Sequence, residues 1–373
     1  MKIIVSGGGT GGHIYPAVTL IRTIQQKVKG LEVLYVGTKA GLEADIIPKE
    51  GFPFATVDIR GFERRLTPVN IKRAGKALLG VMKAARIVKK FQPDVVIGTG
   101  GYVCGPILMA ASLMHVPTLI QEQNVIPGIT NKILAKFVTR IAAGSREAAA
   151  HFPAEKVTFT GNPIRSEVLS ARRESAYEAF GFAPDKKTVL VSGGSRGARS
   201  INRAMVGVLK YYAGSDSVQI LHVTGKKEYG DILQRIEAAG VDLQAAKNLQ
   251  VKPYLYNMPQ AMAMADLAVF RAGATGIAEL TARGVPAILV PYPYAAENHQ
   301  EYNARELATA GAARMILNQE LSSERLLSVM AELLSEPEKL TGMADASRAL
   351  GRPQAADAIA AMVLELAGEK EGK

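Results

Sequence analysis

The sequence predicts an α/β protein built from two doubly wound, Rossmann-like domains that face a cleft. Three observations carry that prediction. Short apolar runs alternate with longer amphipathic stretches along most of the chain, the pattern of a parallel sheet covered by helices on both faces. The 373 residues exceed what one hydrophobic core usually serves. A β-branched run that passes through a glycine loop into a helix occurs twice, as KIIVSGGGTGGH from Lys2 and as TVLVSGGSRGAR from Thr188.

The first of these devices opens the chain. Lys2–Val5 reads as a buried strand and Gly7, Gly8, Gly9, Gly11 and Gly12 as its loop. His13 stands at the mouth of a helix whose first turn tolerates Pro16. Backbone N–H groups and a helix dipole gathered there suit a phosphate or a sugar oxygen. Gly7, Gly9 and Gly12 also satisfy GxGxxG, but a dinucleotide site needs an acid at the tip of the second strand. That strand, Glu32–Val36, ends in Gly37-Thr38-Lys39; no carboxylate is read at its tip, and Glu43 falls inside the next element. No nicotinamide or flavin cofactor is therefore expected.

Further strands follow at Asp94–Gly98, Thr118–Gln121 and Arg140–Ala143. Their carboxyl-end loops bring Tyr102, Glu122, Asn124 and Asn131 to the sheet edge that carries His13. A histidine among a carboxylate and amides suits removal of a proton from a sugar hydroxyl near neutral pH, whereas a histidine after a glycine loop can also be a helix cap. Glu122 is the base itself, the group that orients His13, or a carboxylate bonded to backbone.

Thr160-Gly161-Asn162-Pro163 punctuates the chain like an inter-domain turn. Residues 1–162 are expected to form the first domain and 163–344 the second, with a helix at about 345–366 able to pack back on the first. The second domain has strands at Thr188–Val191, Val218–Val223, Asn248–Val251, Leu267–Phe270 and Ala287–Pro291. Between Phe270 and Glu279 a strand turns through glycines into a helix. Backbone N–H groups at Ala274, Thr275 and Gly276 can bind a diphosphate and Glu279 the ribose hydroxyls, or the helix is merely capped and Glu279 complements its dipole. Arg165 can add a charge-assisted bond to the same diphosphate. Asn298, His299 and Gln300 offer the mixed donors and acceptors that a sugar requires, or cap the next helix.

A formal charge of +11 favours an anionic partner. From Arg60 to Lys90 the only acid is Glu63, and Ile71, Leu78 and Val81 fall at helical spacing with Lys72, Lys76 and Lys83 mostly opposite. Such a helix can lie on an anionic membrane, or can be an ordinary surface helix whose apolar stripe enters the core. The chain lacks the interleaved aromatics of a nucleic-acid platform, so no nucleic-acid partner is expected. One cysteine, Cys104, excludes an intramolecular disulfide and fits a reducing compartment. No secretory leader or spanning apolar stretch is read, so a cytosolic location is expected. With no DxD, CxxC or HExxH, no metal site is expected either.

Taken together, several motifs resemble the MurG family, the bacterial transferases that add N-acetylglucosamine to lipid-linked N-acetylmuramoyl-pentapeptide. These are GGGTGGHIYPA at Gly7–Ala17, GTGGYVCGP at Gly98–Pro106, QEQN at Gln121–Asn124, GITNK at Gly128–Lys132, GNPIR at Gly161–Arg165, GGSRGARSIN at Gly193–Asn202 and RAGATGIAE at Arg271–Glu279. The resemblance implies a GT-B architecture, UDP-N-acetylglucosamine as donor, undecaprenyl-linked lipid I as acceptor, and a metal-independent, cofactor-free inverting transfer at the cytoplasmic face of the membrane. It implies that the second domain holds the donor and the first the acceptor. His13 would be the leading base and Glu122 the second candidate. The donor would be bound by Thr10, Gly11, Gly12, Asn124, Arg165, Ser195, Leu255, Ala274, Thr275, Glu279, His299 and Gln300, and the acceptor by Gly12, Tyr102, Asn124 and Asn131. The chain departs from the family pattern at Gln121, where histidine is familiar, at Arg196, where glutamine is common, and at His299, where one of a glutamine pair often stands. The alternative is another GT-B enzyme of UDP-sugars, such as a 2-epimerase or a lipid glycosyltransferase, and a non-catalytic basic binding protein is a more distant rival.

Overall fold

The structure, a computed structural model, describes residues 1–57, 68–194 and 197–371, without the side chains of residues 68–78 and 369–371. Ser195, Arg196 and the side chains of Ile71, Lys72, Lys76 and Leu78 thus lie outside the described residues. The chain divides into two compact units, Met1–Ile164 with Gln354–Lys373, and Arg165–Pro353.

In the first unit the strands are β1 (Lys2–Ser6), β2 (Glu32–Gly37), β3 (Phe54–Thr56), β4 (Val95–Gly98), β5 (Thr118–Glu122), β6 (Arg140–Ala143) and β7 (Val157–Phe159). They form one parallel sheet in the order β3-β2-β1-β4-β5-β6-β7. The helices between them are α1 (Gly11–Lys27), α2 (Glu43–Lys49), α3 (Pro68–Phe91), α4 (Cys104–Leu113), α5 (Ile129–Leu134) and α6 (Arg146–Ala149). A strand covered on both faces must be apolar at successive positions. Ile3 and Val5 accordingly pack with Val95, Ile97 and the α1 residues Leu20, Ile21 and Ile24, while Ile4 and Val96 pack on the other face with Ile107 and Leu108 of α4. The sequence pattern missed β3 and β7, three-residue strands at the two sheet edges that are too short to show a period. It also misplaced Pro16: α1 begins at Gly11, so the proline lies inside the helix, and the only backbone bond it forgoes is to the Gly12 carbonyl.

The second unit has strands β8 (Lys187–Ser192), β9 (Val218–Val223), β10 (Leu249–Lys252), β11 (Leu267–Phe270), β12 (Ala287–Leu289) and β13 (Ala313–Met315), all parallel, in the order β10-β9-β8-β11-β12-β13. Its helices are α7 (Ser166–Ser170), α8 (Arg173–Phe180), α9 (Arg199–Tyr212), α10 (Tyr229–Ala238), α11 (Met258–Met264), α12 (Ala274–Arg283), α13 (His299–Thr309), α14 (Ser323–Ser335) and α15 (Pro337–Leu350). On α9 the buried residues Ile201, Ala204, Met205, Val208, Leu209 and Tyr212 recur at the spacing of one helical face.

The expected boundary at residue 344 needs correction. Leu340 and Met343 of α15 are buried in the core of the second unit, and the Ser347 hydroxyl donates to the Val285 carbonyl at 3.0 Å. Only α16 (Ala355–Glu371) returns to the first unit, where Ile359, Ala360, Val363 and Leu366 join the core around α1 and β1. Each large aliphatic side chain buried there stabilises the unit by roughly 1.5–3 kcal/mol.

Both sheets reverse their winding at one point, between β1 and β4 and between β8 and β11. Loops beyond the carboxyl ends of such strand pairs are where doubly wound sheets hold ligands. The glycine loops of the sequence follow β1 and β8, so they open at these two points.

Inside the second unit, His222 of β9 is fully buried, with Nε2 at 3.0 Å from Asn202 Oδ1; Asn202 Nδ2 in turn donates to the Thr224 carbonyl at 2.8 Å. Burial drives the imidazole pKa down to about 3 from 6.5. The folded chain therefore keeps His222 neutral while the unfolded chain takes up a proton below pH 6.5, so this contribution to stability is complete above pH 6.5 and is lost as pH falls toward 3. Replacing His222 with Gln should flatten the fall in stability of the second unit across that window, by up to about 1.4 kcal/mol per pH unit, in denaturant titrations at stepped pH.

Candidate active site

In the first unit the site is built where β1, β4 and β5 end. His13 is half-buried on the first turn of α1, with Nδ1 2.9 Å from the Gly8 carbonyl and 3.3 Å from Thr10 Oγ1. A carbonyl can only accept, so Nδ1 is the donor in this contact, and in the neutral ring Nε2 then keeps its lone pair. Thr99, beyond β4, donates its hydroxyl to the His13 carbonyl at 2.7 Å. Gly100 and Gly101 follow with φ of +106° and +84°. A Cβ at Gly100 would lie 2.7 Å from His13 Cδ2 and 3.0 Å from Nε2, so a side chain there would close the Nε2 edge of the ring.

Glu122 ends β5 and is buried. Its carboxylate accepts from the Asn124 N–H at 3.0 Å, the Gly128 N–H at 3.2 Å and Asn131 Nδ2 at 2.8 Å, and it makes no hydrogen bond to His13 among the described residues. That is the arrangement of a carboxylate bonded to backbone and amide, which folds the loop over residues 122–131. Asn131 Oδ1, buried in the same place, has no hydrogen-bond partner. Tyr102 is 39% exposed beside the glycine loop. Gln121 donates through Nε2 to Asn162 Oδ1 at 2.9 Å, and Asn162 Nδ2 donates to the Gln123 carbonyl at 3.0 Å, so two of the sequence motifs brace one another.

One reading of the sequence is overturned here. A carboxylate does reach the tip of β2: Glu43, from the start of α2, accepts from the Thr38 N–H at 3.0 Å, the Thr38 hydroxyl at 2.7 Å and the Gly9 N–H at 3.1 Å. Linear spacing put it in the next element, but α2 turns back sharply enough to return its side chain. It serves the protein's own loop.

The second unit presents a different site. Gly273 caps α12, whose first intrahelical bond runs from the Ile277 N–H to the Gly273 carbonyl. The N–H groups of Ala274, Thr275 and Gly276 precede that bond and point out of the helix end. Thr275 Oγ1 is buried there without a hydrogen-bond partner. Further along α12, Glu279 is buried and accepts from Arg165 Nε at 2.7 Å, so two predicted site residues from distant parts of the chain meet. His299 and Gln300 open α13 but are turned toward their own loop: His299 Nδ1 is 2.7 Å from the Ala296 carbonyl, and Gln300 Oε1 accepts from the Tyr292 N–H at 2.9 Å. Just before them Glu297 and Asn298 hold φ of +51° and +52°, a conformation costly for residues with side chains and frequent at binding sites. Leu255 is half-buried between Tyr254 and Tyr256, whose rings meet edge to face.

Sequence reasoning passed over Arg271. Its Nη1 donates to the Val290 and Pro291 carbonyls at 3.0 and 2.9 Å, and its Nη2 to the Ser200 hydroxyl at 2.8 Å. Burial lowers its pKa to about 10, and no carboxylate pairs with it among the described residues. It ties together the loops after β11 and β12 and the start of α9.

Comparison with known proteins places this geometry in a family. Residues 3–143 match the glycosyltransferase family 28 N-terminal domain and residues 188–359 the family 28 C-terminal domain. The chain belongs to glycosyltransferase family 28, in its MurG group. It is 49% identical to the UDP-N-acetylglucosamine--N-acetylmuramyl-(pentapeptide) pyrophosphoryl-undecaprenol N-acetylglucosamine transferase of Desulforamulus reducens, over 95% of this chain and 96% of that one. Among solved structures it is similar to MurG of Acinetobacter baumannii, with a TM-score of 0.77, 28% identity and coverage of 98% and 99%. The UDP-GlcNAc 2-epimerase of Neisseria meningitidis, at 13% identity and a TM-score of 0.66 over 98% of this chain and all of that one, shares the fold alone.

For a family 28 enzyme the basic helix α3 is of interest, and its described side chains, from Leu79 onward, divide between core and solvent. Val81 packs with Ala84 and Val88 against the core. Leu79 and Met82, with Lys83 beside them, face outward instead; Leu79 is 64% and Met82 50% exposed. Among the described residues of the stripe, Val81 and Val88 are turned to the core.

Cys104 opens α4 beneath the family 28 glycine loop, fully buried, with Sγ 2.9 Å from the Gly100 carbonyl and 3.0 Å from the Ser6 carbonyl. Burial pushes its thiol up to about 12. A thiol reagent at pH 8 should leave native Cys104 unmodified for hours and label it at once in denaturant, which mass spectrometry will read; prompt native labelling would mean that the loop above it opens.

Proposed function

We propose that this chain transfers N-acetylglucosamine from UDP-N-acetylglucosamine to the 4-hydroxyl of the muramoyl sugar of undecaprenyl-diphospho-N-acetylmuramoyl-pentapeptide, the step from lipid I to lipid II in peptidoglycan synthesis. The names of its close relatives supply the substrates. The observation in the fold that carries the chemistry is the seat of His13. Its Nδ1 is committed to the Gly8 carbonyl, which leaves Nε2 to receive a proton.

In this reading the second unit holds the donor. Diphosphate oxygens meet the N–H groups of Ala274, Thr275 and Gly276, and the Thr275 hydroxyl gains the partner it lacks. Glu279 accepts from the ribose hydroxyls while Arg165, held against it, adds positive charge. The first unit holds the acceptor, with Tyr102, Asn131 and the N–H groups of Gly11 and Gly12 at its diphosphate and sugar. Transfer is a single displacement. The acceptor hydroxyl gives its proton to His13 Nε2, its oxygen bonds to the anomeric carbon, and the bond from that carbon to the diphosphate breaks with its electron pair leaving on UDP, so the configuration inverts. Helix ends and Arg165 stabilise the departing charge. Glu122, with both oxygens engaged, shapes the acceptor loop and does not compete for the proton.

Attachment to an anionic membrane is read as peripheral and on the cytoplasmic face. Among the described residues no helix is long and apolar enough to cross a membrane. Leu79 and Met82 of α3, Leu113 and Met114 at the end of α4, and Ile129, Ile133 and Phe137 in and after α5 are exposed on helices that pack side by side. Lys83, Arg86, Lys132 and Lys136 lie among them in sequence and face solvent. Apolar groups fringed by basic ones suit the boundary between headgroups and acyl chains.

The deciding assay follows transfer from UDP-N-acetylglucosamine to a lipid I analogue, with UDP-N-acetylgalactosamine as the control donor; UDP release independent of acceptor would refute the assignment. In that assay His13→Ala should lower kcat by roughly 10²–10⁴-fold and leave UDP affinity in place, and unchanged turnover would remove His13 from the mechanism. Met82→Asp combined with Leu113→Asp should weaken sedimentation with phosphatidylglycerol vesicles by about tenfold or more, while transfer to a short-chain, water-soluble lipid I analogue stays at the parent rate.

A further inference from the structure

Glu43 is fully buried, yet no lysine, arginine or histidine pairs with it among the described residues. The titratable groups that face it, Tyr35 and Cys104, are both pushed upward by burial and stay neutral near pH 7. Its two carboxyl oxygens are held by hydrogen-bond donors: the Thr38 N–H and hydroxyl on Oε1, and the Gly9 N–H on Oε2. The chain is shaped to admit it. A Cβ on Gly8 would come within 2.6 Å of the carboxyl carbon, and one on Gly41 within 2.2 Å of Oε1.

The Gly9 N–H and the Gly8 carbonyl belong to one peptide group. On one side that peptide donates to Glu43 at 3.1 Å; on the other it accepts from His13 Nδ1 at 2.9 Å. A carboxylate on the N–H draws the peptide's electrons toward its oxygen and makes the carbonyl a stronger acceptor, since hydrogen bonds in a chain polarise one another. The effect is that of a carboxylate bonded directly to an imidazole, delivered through an intervening peptide.

We propose that Glu43 is a positioning residue for the transfer reaction, fixing the Nδ1–H tautomer of His13 through the Gly8–Gly9 peptide so that Nε2 faces the acceptor unprotonated. This rests on the reading of His13 as the base. The loop's one buried acid then does for the imidazole what an adjacent carboxylate does in a catalytic triad, and no side chain need touch the ring's Nδ1 edge except Thr10.

Nitrogen-15 shifts of the His13 ring, assigned by their absence in His13→Ala, test it on the full chain. The parent protein should show Nδ1 protonated and Nε2 free. Glu43→Gln should move the ring toward a mixture of tautomers and lower kcat roughly 10–100-fold, the size typical when a group that orients a functional imidazole is lost. KM for UDP-N-acetylglucosamine and the affinity for UDP should hold, which also reports that the variant is folded. Thr38→Val removes a donor from the other carboxylate oxygen and should leave both tautomer and kcat near the parent values. The proposal is overturned by an Nε2–H tautomer in the parent protein, a measurement that needs no variant to fold. It is equally overturned by a Glu43→Gln ring and kcat like the parent's, or by a Thr38→Val protein that matches Glu43→Gln. Transfer that survives His13→Ala would instead refute the base, and the ring-nitrogen measurement would still decide the role of Glu43.

Discussion

A glycine loop between a parallel strand and a helix leaves backbone N–H groups without partners, and the two units of this protein answer that constraint in opposite ways. After β1 the answer is internal: Glu43 accepts from the Gly9 N–H and ties the loop to the end of β2. After β11 it is left open, with the N–H groups of Ala274 to Gly276 and a partnerless Thr275 hydroxyl at the helix end. An anionic ligand finds donors at the second loop, whereas in the first a built-in carboxylate already occupies the donor at Gly9. On the proposed function, the same strand-loop-helix device serves a nucleotide in one unit and a base in the other.

What keeps the first loop in shape is contact, more than flexibility. Thr99, Gly100 and Gly101 press against His13, and the tight approach at Gly100 allows only a hydrogen in place of a side chain. Beneath them Cys104 fills the space under the loop as a small buried group with its thiol held protonated. Glu122, Gln121 and Asn162 brace the neighbouring turn, so most of the polar residues that crowd this edge are committed to one another before any substrate arrives. Across this edge His13 Nε2 and Asn131 Oδ1 are atoms that the framework has left for a ligand.

Much of this was legible in the chain itself. The alternation of apolar runs and amphipathic stretches gave the doubly wound class, since a strand buried on both faces has to be apolar at neighbouring positions, as Ile3, Ile4 and Val5 are. The glycine loops marked the carboxyl ends where sites form. Edge strands β3, β7 and β13 were not legible, because three residues outside a longer apolar run carry no period; β12, as short, lies in the apolar run from Ala287 to Pro291. Nor was the division of the last helices: α15 and α16 follow one another in sequence, and only the cores they enter, around Leu340 and Met343 in one case and Ile359 and Val363 in the other, separate them.

By itself the sequence determined the fold class, the position of both glycine loops, the roster of polar residues at the strand ends and, through its motifs, the family. The tertiary structure decided which of those residues face a ligand and which hold the framework. Spacing could not bring Glu43 back to Gly9, join Arg165 to Glu279 or turn Val81 inward and Met82 outward, because each depends on where a helix packs and not on how far apart its residues lie in the chain. A carboxylate's role is set by the donors that surround it, and those donors are assembled only when the chain folds.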